Sequence, residues 1–361
     1  MLVAREALLR AGGRQLSRAL SGLHSADGSP GRSCGSTGGA RNTSSNTAAP
    51  DPLVVSSAPG TIMANTEGAF PTLEKLRLLG NKSVRIKDPT HVEALLSTIV
   101  AGGFPKLQFV VDFDFTLTRV HYKGQPCHCS WGILDNSLEM PMYYREEANS
   151  LFSKYYPIEI DPKMMEEEKI PYMLEWYGKI HDLLVKCNLN QGSIKGMVST
   201  STVMLRDGAA DLCKRLHQAG VPILVLSAGM GDVLEHVLWY FNIYTDNVKV
   251  VSNFFKYNEE GIMVGFKGKI IHVFNKNEDA IHSSNYFEKL RLRTNVILMG
   301  DSIGDVKMAL GVPQPNSVLK IGFLNGKISE RLESFMEKFD IVLLDDQTMD
   351  LAKSIVDLME S

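Results

Sequence analysis

Short apolar runs alternate with amphipathic stretches along most of this chain, a pattern that predicts a mixed α/β protein. Residues 89–102 carry apolar side chains at helical spacing, and Leu107–Phe113 follows as a short buried strand. Similar apolar runs recur at Val221–Leu226, Asn295–Met299, Leu319–Phe323 and Asp340–Leu344. Helical patterns lie between them, at Gly208–Ala219, Gly231–Tyr240 and Asp305–Leu310. Strands that alternate with helices predict a mostly parallel sheet with both faces covered.

Two segments interrupt this alternation. Residues 130–206 are rich in helix formers, with long periodic patterns at Tyr143–Tyr155 and Glu166–Lys186, and they predict a helical insert after the first strand. Residues 248–273 alternate as strands around Asn258-Glu259-Glu260-Gly261, which predicts a β-hairpin.

The N-terminal residues differ in composition from the rest. Residues 1–62 hold six arginines, three acidic residues and no lysine, and Ser25–Ser57 is too rich in small and polar residues to repay its ordering entropy by burial. The spaced arginines of residues 1–24 are typical of a mitochondrial presequence, and a disordered or alternative N-terminal segment is the other interpretation. The predicted organisation is an N-terminal extension, an α/β core and a helical cap, at 1–62, at 83–125 with 207–361, and at 126–206.

Composition and charge exclude several classes of protein. With 38 basic and 41 acidic residues, the net charge of −3 gives no reason to expect polymeric nucleic acid as a partner. The apolar runs are far too short to cross a bilayer. Five cysteines at scattered spacings favour a reduced compartment. We therefore expect a cytoplasmic protein that does not bind membranes, with mitochondria as the alternative location if residues 1–24 act as a presequence. We also expect a monomer, although the sequence does not give the oligomeric state.

Acidic residues follow two of the predicted strands. Asp112 and Asp114 come directly after the first strand, where one carboxylate can attack phosphorus and the other can carry a proton for the leaving oxygen. Asp301 and Asp305 follow a later strand and suit a hard cation such as Mg²⁺. In a parallel sheet, ligands bind at the carboxyl ends of the strands, and both sites fall there. Taken alone, an acid-rich loop at a strand end and helix capping by Asp301 or Ser302 explain the same residues.

A hydroxyl and a lysine complete the set. Ser227-Ala228-Gly229 follows the Val221–Leu226 strand, and a hydroxyl with backbone N–H groups at a helix start can hold an anion, although a simple turn opening a helix gives the same pattern. Lys276 follows the predicted hairpin, where most lysines are solvated surface charges. Independent explanations for all four sites, in this order and at these strand ends, are improbable.

These motifs together resemble the haloacid dehalogenase superfamily, with D-x-D-x-T at 112–116 and G-D-x-x-G-D at 300–305 flanking Ser227 and Lys276. Within that superfamily, residues 83–361 resemble the type III cytosolic pyrimidine 5′-nucleotidases. The resemblance implies a haloacid-dehalogenase-like Rossmannoid parallel sheet with an inserted helical cap and a small β-hairpin. It also implies magnesium-dependent hydrolysis of pyrimidine nucleoside 5′-monophosphates, CMP and UMP, through an aspartyl-phosphate.

The resemblance further assigns individual residues. Asp112 is the implied nucleophile and Asp114 the general acid and base. The implied Mg²⁺ ligands are the Asp112 side chain, the Asp114 backbone carbonyl and Asp301, with Asp305 orienting the metal's surroundings. The implied substrate-contacting residues are Glu159, Trp176, Tyr177, Ser227, Ala228 and Lys276. Core packing is the competing interpretation of Trp176 and Tyr177.

The preferred base and the reaction class stay open at this point. Ile180 stands where pyrimidine-preferring members carry serine, whereas the Trp176-Tyr177 pair resembles that group more than the relatives acting on 7-methylguanosine monophosphate, which carry two tryptophans. A nucleotidase specific for 7-methylguanosine monophosphate is therefore an alternative. The others are transfer of the phosphoryl group to a nucleoside, which the same residues can perform, and a catalytically silent nucleotide-binding or interaction protein.

Overall fold

A computed structural model describes residues 70–161, 163–276, 286, 290–312 and 314–360. Its strands are β1 (Val84–Ile86), β2 (Leu107–Val111), β3 (His121–Tyr122), β4 (Gln125–Pro126), β5 (Ile223–Met230), β6 (Val248–Asn253), β7 (Phe255–Tyr257), β8 (Met263–Phe266), β9 (Asn295–Gly300), β10 (Ser317–Leu324) and β11 (Ile341–Leu344). Seven of them form a sheet in the order β1-β11-β10-β9-β2-β5-β6. All neighbours in it are parallel except β1 and β11. The presequence-like residues 1–24 lie outside the described residues.

The helices surround this sheet and form the segment that follows β4. They are α1 (Pro71–Lys75), α2 (Pro89–Lys106), α3 (Ser130–Asp135), α4 (Met142–Glu159), α5 (Glu166–Lys186), α6 (Ser193–Thr200), α7 (Ala209–Gln218), α8 (Gly231–Tyr240), α9 (Ile328–Lys338) and α10 (Asp350–Glu360). Asp88 caps α2 by accepting the His91 N–H, and the backbone leaves helical geometry at Gly103, where φ is 60°. No described helix is both long and apolar enough to cross a membrane.

The predicted alternation of strands and helices is confirmed, with the expected covering of both sheet faces. Successive residues of a strand point to opposite faces. Phe109 and Val111 of β2 accordingly pack into one apolar cluster, while Val110 packs into a second with Leu298 of β9. A sheet buried on both faces explains why its strands read as continuous apolar runs.

Several elements differ from the predicted ones, since the helix predicted at 89–102 runs to Lys106 and the one predicted at Tyr143–Tyr155 spans Met142–Glu159. β5 extends beyond Leu226 to Met230 because an irregularity in its pairing with β6 lets the strand continue. The helix predicted at Asp305–Leu310 is a 3₁₀ helix at Ile303–Ala309. Only β7 and β8 form the predicted hairpin, whereas β6 pairs in parallel with β5 at the edge of the main sheet. Alternation alone cannot distinguish an edge strand from one arm of a hairpin.

The predicted helical insert is present as α3 to α6, between β4 and α7. Its apolar side chains, including Tyr144 and Trp176, belong to the same apolar cluster as one face of the sheet. Sequence-distant segments also fasten it, because Met263 of β8 donates its N–H to the Leu189 carbonyl and Gln191 donates to Gly261. The division into core and cap stays a prediction.

Candidate active site

The first acidic pair begins directly after β2, in a tight turn over Phe113–Leu117. Asp112 is 2% exposed, and its Oδ2 accepts a hydrogen bond from the Thr116 hydroxyl at 3.0 Å. Phe115 lies in the left-handed region, with φ of 63°, which a residue with a bulky side chain adopts only where its surroundings impose it. The turn therefore buries the acid pair in a fixed, strained backbone.

The three acids Asp112, Asp301 and Asp305 converge although they are far apart in sequence. Each offers a carboxylate oxygen within 4.8 Å of the others. The Lys276 ammonium joins them, donating to Asp112 Oδ1 at 2.5 Å and to Asp305 Oδ1 at 2.9 Å. Burial opposes the charge of Lys276, but the two carboxylates outweigh it and raise its pKa. The acid cluster and the lysine, predicted separately, thus form one site.

The charge balance of this cluster fits a divalent cation. The buried carboxylates of Asp112 and Asp305 and the half-buried one of Asp301 face one ammonium. Burial, together with the neighbouring carboxylates, raises the pKa of Asp112 and of Asp301. A hard cation with oxygen ligands, such as Mg²⁺, supplies the missing positive charge. Asp305 already accepts the N–H groups of Asp301 and Ser302 at 3.1 and 2.8 Å in addition to Lys276. Asp112 and Asp301 are therefore the better ligand candidates, and Asp305 supports the loop.

Asp114 is held by a residue that sequence reasoning missed. Ser130, the first residue of α3, donates its N–H to Asp114 Oδ1 at 2.7 Å and its hydroxyl to Oδ2 at 2.5 Å. Burial raises the pKa of Asp114, and the two bonds from Ser130 oppose that shift. A Cβ at Gly229 would lie 2.2 Å from the Ser130 hydroxyl, which explains the glycine there. A serine at the start of an inserted helix gives no sequence signal of this contact.

Ser227 and Ala228 lie buried near the carboxyl end of β5, which neighbours β2 in the sheet. The Ser227 hydroxyl accepts the Gly229 N–H at 3.0 Å. This hydrogen bond belongs to a local turn before a helix, as the simpler interpretation of the motif predicts. Because that bond uses the hydroxyl as an acceptor, its proton stays available for an anion. Helix α8 begins at Gly231, two residues beyond this turn.

Glu159 ends helix α4 and is 9% exposed. Within the described part of the chain, its Oε2 has no hydrogen-bond partner. Burial, more than any neighbouring charge, raises the pKa of Glu159 to about 7. A buried carboxyl oxygen without a partner is costly unless a ligand satisfies it.

Trp176 and Tyr177 are both buried in α5, with different surroundings. Trp176 stacks on Tyr155, with ring centroids 5.9 Å apart, so its packing is that of a core residue. The Tyr177 hydroxyl is without a partner among the described residues, as is His181 Nε2. Burial raises the pKa of Tyr177, and after burial the charge of Glu159 contributes most. Tyr177 thus lies within electrostatic reach of Glu159.

The charges of the acid pair and the lysine act on Tyr177 as well. Asp114 and Asp112 raise its pKa, while Lys276 lowers it. The Tyr177 hydroxyl therefore lies within electrostatic reach of both Glu159 and the charged cluster at the carboxyl ends of β2 and β9. His181 stacks on Phe266 of the hairpin, with ring centroids 3.4 Å apart, so it packs between the cap segment and the hairpin.

Comparison with known proteins gives consistent matches. The pyrimidine 5′-nucleotidase (UMPH-1) family matches residues 115–360. The 7-methylguanosine phosphate-specific 5′-nucleotidase of Rattus norvegicus is 42% identical over 283 residues, covering 78% of this chain and 94% of that protein. A putative cytosolic 5′-nucleotidase 3 of Caenorhabditis elegans is 34% identical, covering 79% and 77%. The crystal structure of cytosolic 5′-nucleotidase IIIB bound to cytidine superimposes with a TM-score of 0.75 at 39% identity, covering 80% of this chain and 97% of that one.

Proposed function

Because this chain belongs to the pyrimidine 5′-nucleotidase family, and is thus a 5′-nucleotidase of the haloacid dehalogenase fold, we propose that it hydrolyses CMP and UMP with Mg²⁺. The observation that carries the proposal is the meeting of Asp112, Asp301, Asp305 and Lys276 in one cluster, in which only Asp301 is half-buried rather than buried. A buried nucleophile, a separately held proton carrier and a compensating cation are what phosphate-ester hydrolysis requires.

In the first step, the Asp112 carboxylate forms a bond to phosphorus as the bond from phosphorus to the ribose O5′ breaks. Asp114 gives its proton to O5′, and burial keeps that proton on the carboxyl group at higher pH than usual. Mg²⁺, held by Asp112, Asp301 and the Asp114 carbonyl, would offset the repulsion between carboxylate and phosphate. The product is the free nucleoside and an aspartyl-phosphate on Asp112.

In the second step, water replaces Asp112 at phosphorus. The ionised Asp114 takes a proton from that water as its oxygen bonds to phosphorus, and inorganic phosphate leaves with the Asp112 carboxylate restored. Lys276, the Ser227 hydroxyl and the Ala228 N–H hold the phosphoryl oxygens throughout. Transfer to the hydroxyl of a second nucleoside instead of water uses the same groups, so product analysis with added nucleoside tests for phosphotransferase activity.

We assign recognition of the base to the helical segment 126–206, acting as a cap over the carboxyl ends of the sheet strands. Glu159 and the Tyr177 hydroxyl offer buried polar atoms that lack protein partners in the described residues. A neutral carboxyl group both donates and accepts, which matches the adjacent donor and acceptor on the edge of cytosine and of uracil. A substrate base would thereby satisfy Glu159 at the pH where it is neutral.

The Glu159 assignment predicts a pH-dependent KM. Because its pKa is about 7, Glu159 is mostly neutral below that pH and loses the donated hydrogen bond above it. The KM for CMP should rise by up to about 10-fold from about pH 6 to about pH 8, one unit on each side of the pKa. Glu159→Gln keeps a donor and an acceptor but cannot titrate, so it controls for ionisation of the substrate phosphate. A ratio of wild-type to variant KM that is constant with pH contradicts the assignment.

Ser130→Ala tests how Asp114 is held. The substitution removes the hydroxyl bond to Asp114 Oδ2 but keeps the backbone N–H bond to Oδ1. We expect kcat to fall by about 10-fold, a fraction of the 10²–10⁴-fold effect of a general acid, with KM little changed. Ser137→Ala, at a serine whose hydroxyl accepts the Glu139 N–H far from the acid pair in sequence, is the matched control. Equal kcat in the two variants would refute the contact's importance.

A second candidate is hydrolysis of 7-methylguanosine monophosphate. It is favoured by the relatives that carry this specificity in their names, at 39 to 42% identity. Opposing it, Tyr177 stands where a second tryptophan is expected for that specificity, and the family name is that of the pyrimidine enzymes. A panel of CMP, UMP, 7-methylguanosine monophosphate, AMP and dTMP, compared by kcat/KM with Mg²⁺, decides between them. We also propose that the protein is cytoplasmic, in keeping with the name of the Caenorhabditis elegans relative, and that it acts as a monomer.

A further inference from the structure

One fully buried arginine lies behind the turn that carries the acid pair. Arg206 is 1% exposed and comes from the segment between α6 and α7. Its Nε donates to the Thr116 carbonyl at 2.8 Å, and its Nη2 donates to the Phe115 carbonyl at 2.5 Å. Its Nη1 donates to the Asp346 carbonyl, beyond β11. The guanidinium thus ties the turn to the chain beyond the last strand of the sheet.

Asn325 completes the arrangement. Its Nδ2 donates to the same Phe115 carbonyl at 3.1 Å, and its Oδ1 accepts from Arg206 Nη2 at 2.9 Å. The guanidinium also lies 4.1 Å from the centroid of the Phe323 ring. Burial lowers the pKa of Arg206 to about 10, so the group stays charged near neutral pH. Two side chains therefore converge on one carbonyl oxygen.

That oxygen belongs to the strained residue of the turn. Phe115 has φ of 63° and ψ of 11°, a left-handed conformation that costs free energy for a residue with a Cβ and persists only where contacts impose it. The same turn fixes the relation between Asp112 and Asp114, since Thr116, whose carbonyl accepts from Arg206, donates its hydroxyl to Asp112 Oδ2. Arg206 and Asn325 thus bind the turn through its backbone carbonyls, whereas the Thr116 side chain binds Asp112.

We propose that Arg206 and Asn325 are positioning residues that hold Phe115 in its left-handed conformation and thereby aim Asp112 and Asp114 at the phosphoryl group. The proposal rests on the hydrolysis proposed above. Both residues are buried and bind backbone carbonyls of the turn, so their loss should lower kcat without weakening the binding of the nucleoside. A misplaced nucleophile is costly because small displacements from the reactive geometry lower rates strongly.

The test compares two variants with a matched control. Arg206→Lys keeps the charge but loses the branched donor set, and Asn325→Ala removes one of the two donors to the Phe115 carbonyl. Arg293→Lys is the control, because Arg293 donates to three backbone carbonyls, those of Phe104, Leu107 and Gly220, near the amino end of β2. Phosphate release from CMP, cytidine binding by calorimetry and hydrogen exchange of residues 112–118 are measured for each.

We expect kcat to fall about 100-fold in Arg206→Lys and about 10-fold in Asn325→Ala, with the cytidine Kd unchanged within about twofold. Exchange of the 112–118 amides should become faster in both variants and stay unchanged in Arg293→Lys. If Arg206→Lys does not fold, Asn325→Ala carries the test. Activity lost only in proportion to the folded fraction, or unchanged exchange, would overturn the proposal. A wild-type protein that releases no phosphate refutes the hydrolysis instead, and the exchange measurement still decides the positioning.

Discussion

Replacing Asp112 by asparagine is expected to lower phosphate release from CMP and UMP by on the order of 10⁴-fold or more, since loss of an attacking group typically removes most of an enzyme's rate enhancement. Asparagine has the same shape and still accepts a hydrogen bond from Lys276 or Thr116, so the site should keep its form. The variant should therefore bind cytidine as the wild type does while failing to form the aspartyl-phosphate. Release of phosphate is measured together with cytidine binding by calorimetry.

The matched control for this prediction is Asp340→Asn. Asp340 is also a largely buried aspartate, but it accepts the Lys320 N–H at 2.8 Å beside β11 and takes no part in the acid cluster. Its replacement should leave kcat unchanged. Undiminished turnover in Asp112→Asn would refute the nucleophile assignment, and equal losses in both variants would indicate a general effect of removing a buried charge.

Replacing Lys276 by methionine should affect both activity and stability. The substitution leaves Asp112 and Asp305 buried without their shared cation, and breaking a buried ion pair by removing one partner costs about 3–5 kcal/mol. We expect the free energy of unfolding in urea to fall by about that amount in the presence of a chelator. Loss of one donor to the transferring phosphoryl group should also lower kcat/KM by about 10²–10³-fold.

Magnesium separates these two consequences. A divalent cation restores positive charge to the acid cluster, so added Mg²⁺ should raise the midpoint of thermal unfolding more in Lys276→Met than in the wild type. Activity should not return with it, since the ion does not replace the ammonium at the phosphoryl oxygens. Lys256→Met, at an exposed lysine of β7, is the control. An unfolding free energy that is the same with and without Lys276 would contradict this account of the cluster.

Much of the fold could be predicted because burial leaves a strong periodic signal. The α5 boundaries, Glu166–Lys186, match the predicted pattern, and β9 differs from it by one residue. Predictions failed where the backbone departs from regular pairing. The continuation of β5 through Ser227-Ala228-Gly229 depends on its irregular pairing with β6, which is a long-range property.

The candidate site divides in the same way. Asp112 and Asp301 could be identified because acids at strand ends carry a local signal and β2 and β9 are neighbours in the sheet. Ser130 and Arg206 could not be identified from the sequence. Each contacts the acid-pair turn from a distant segment that only tertiary packing brings close to it. A serine at a helix start and an arginine before a helix are common surface residues, and only burial distinguishes them here.

The antiparallel pairing of β1 with β11 has a consequence for biosynthesis. Val84 lies opposite Leu343, so β1, the first strand of the sheet in the described chain, can pair with β11 only after β11 has left the ribosome. Until then, the apolar flank of β10 that β11 later covers stays open. A messenger RNA with a stop codon before the one for Ile341 therefore yields a polypeptide that lacks β11 and leaves β1 without its pairing strand. We expect such a polypeptide to aggregate or to be degraded by proteases.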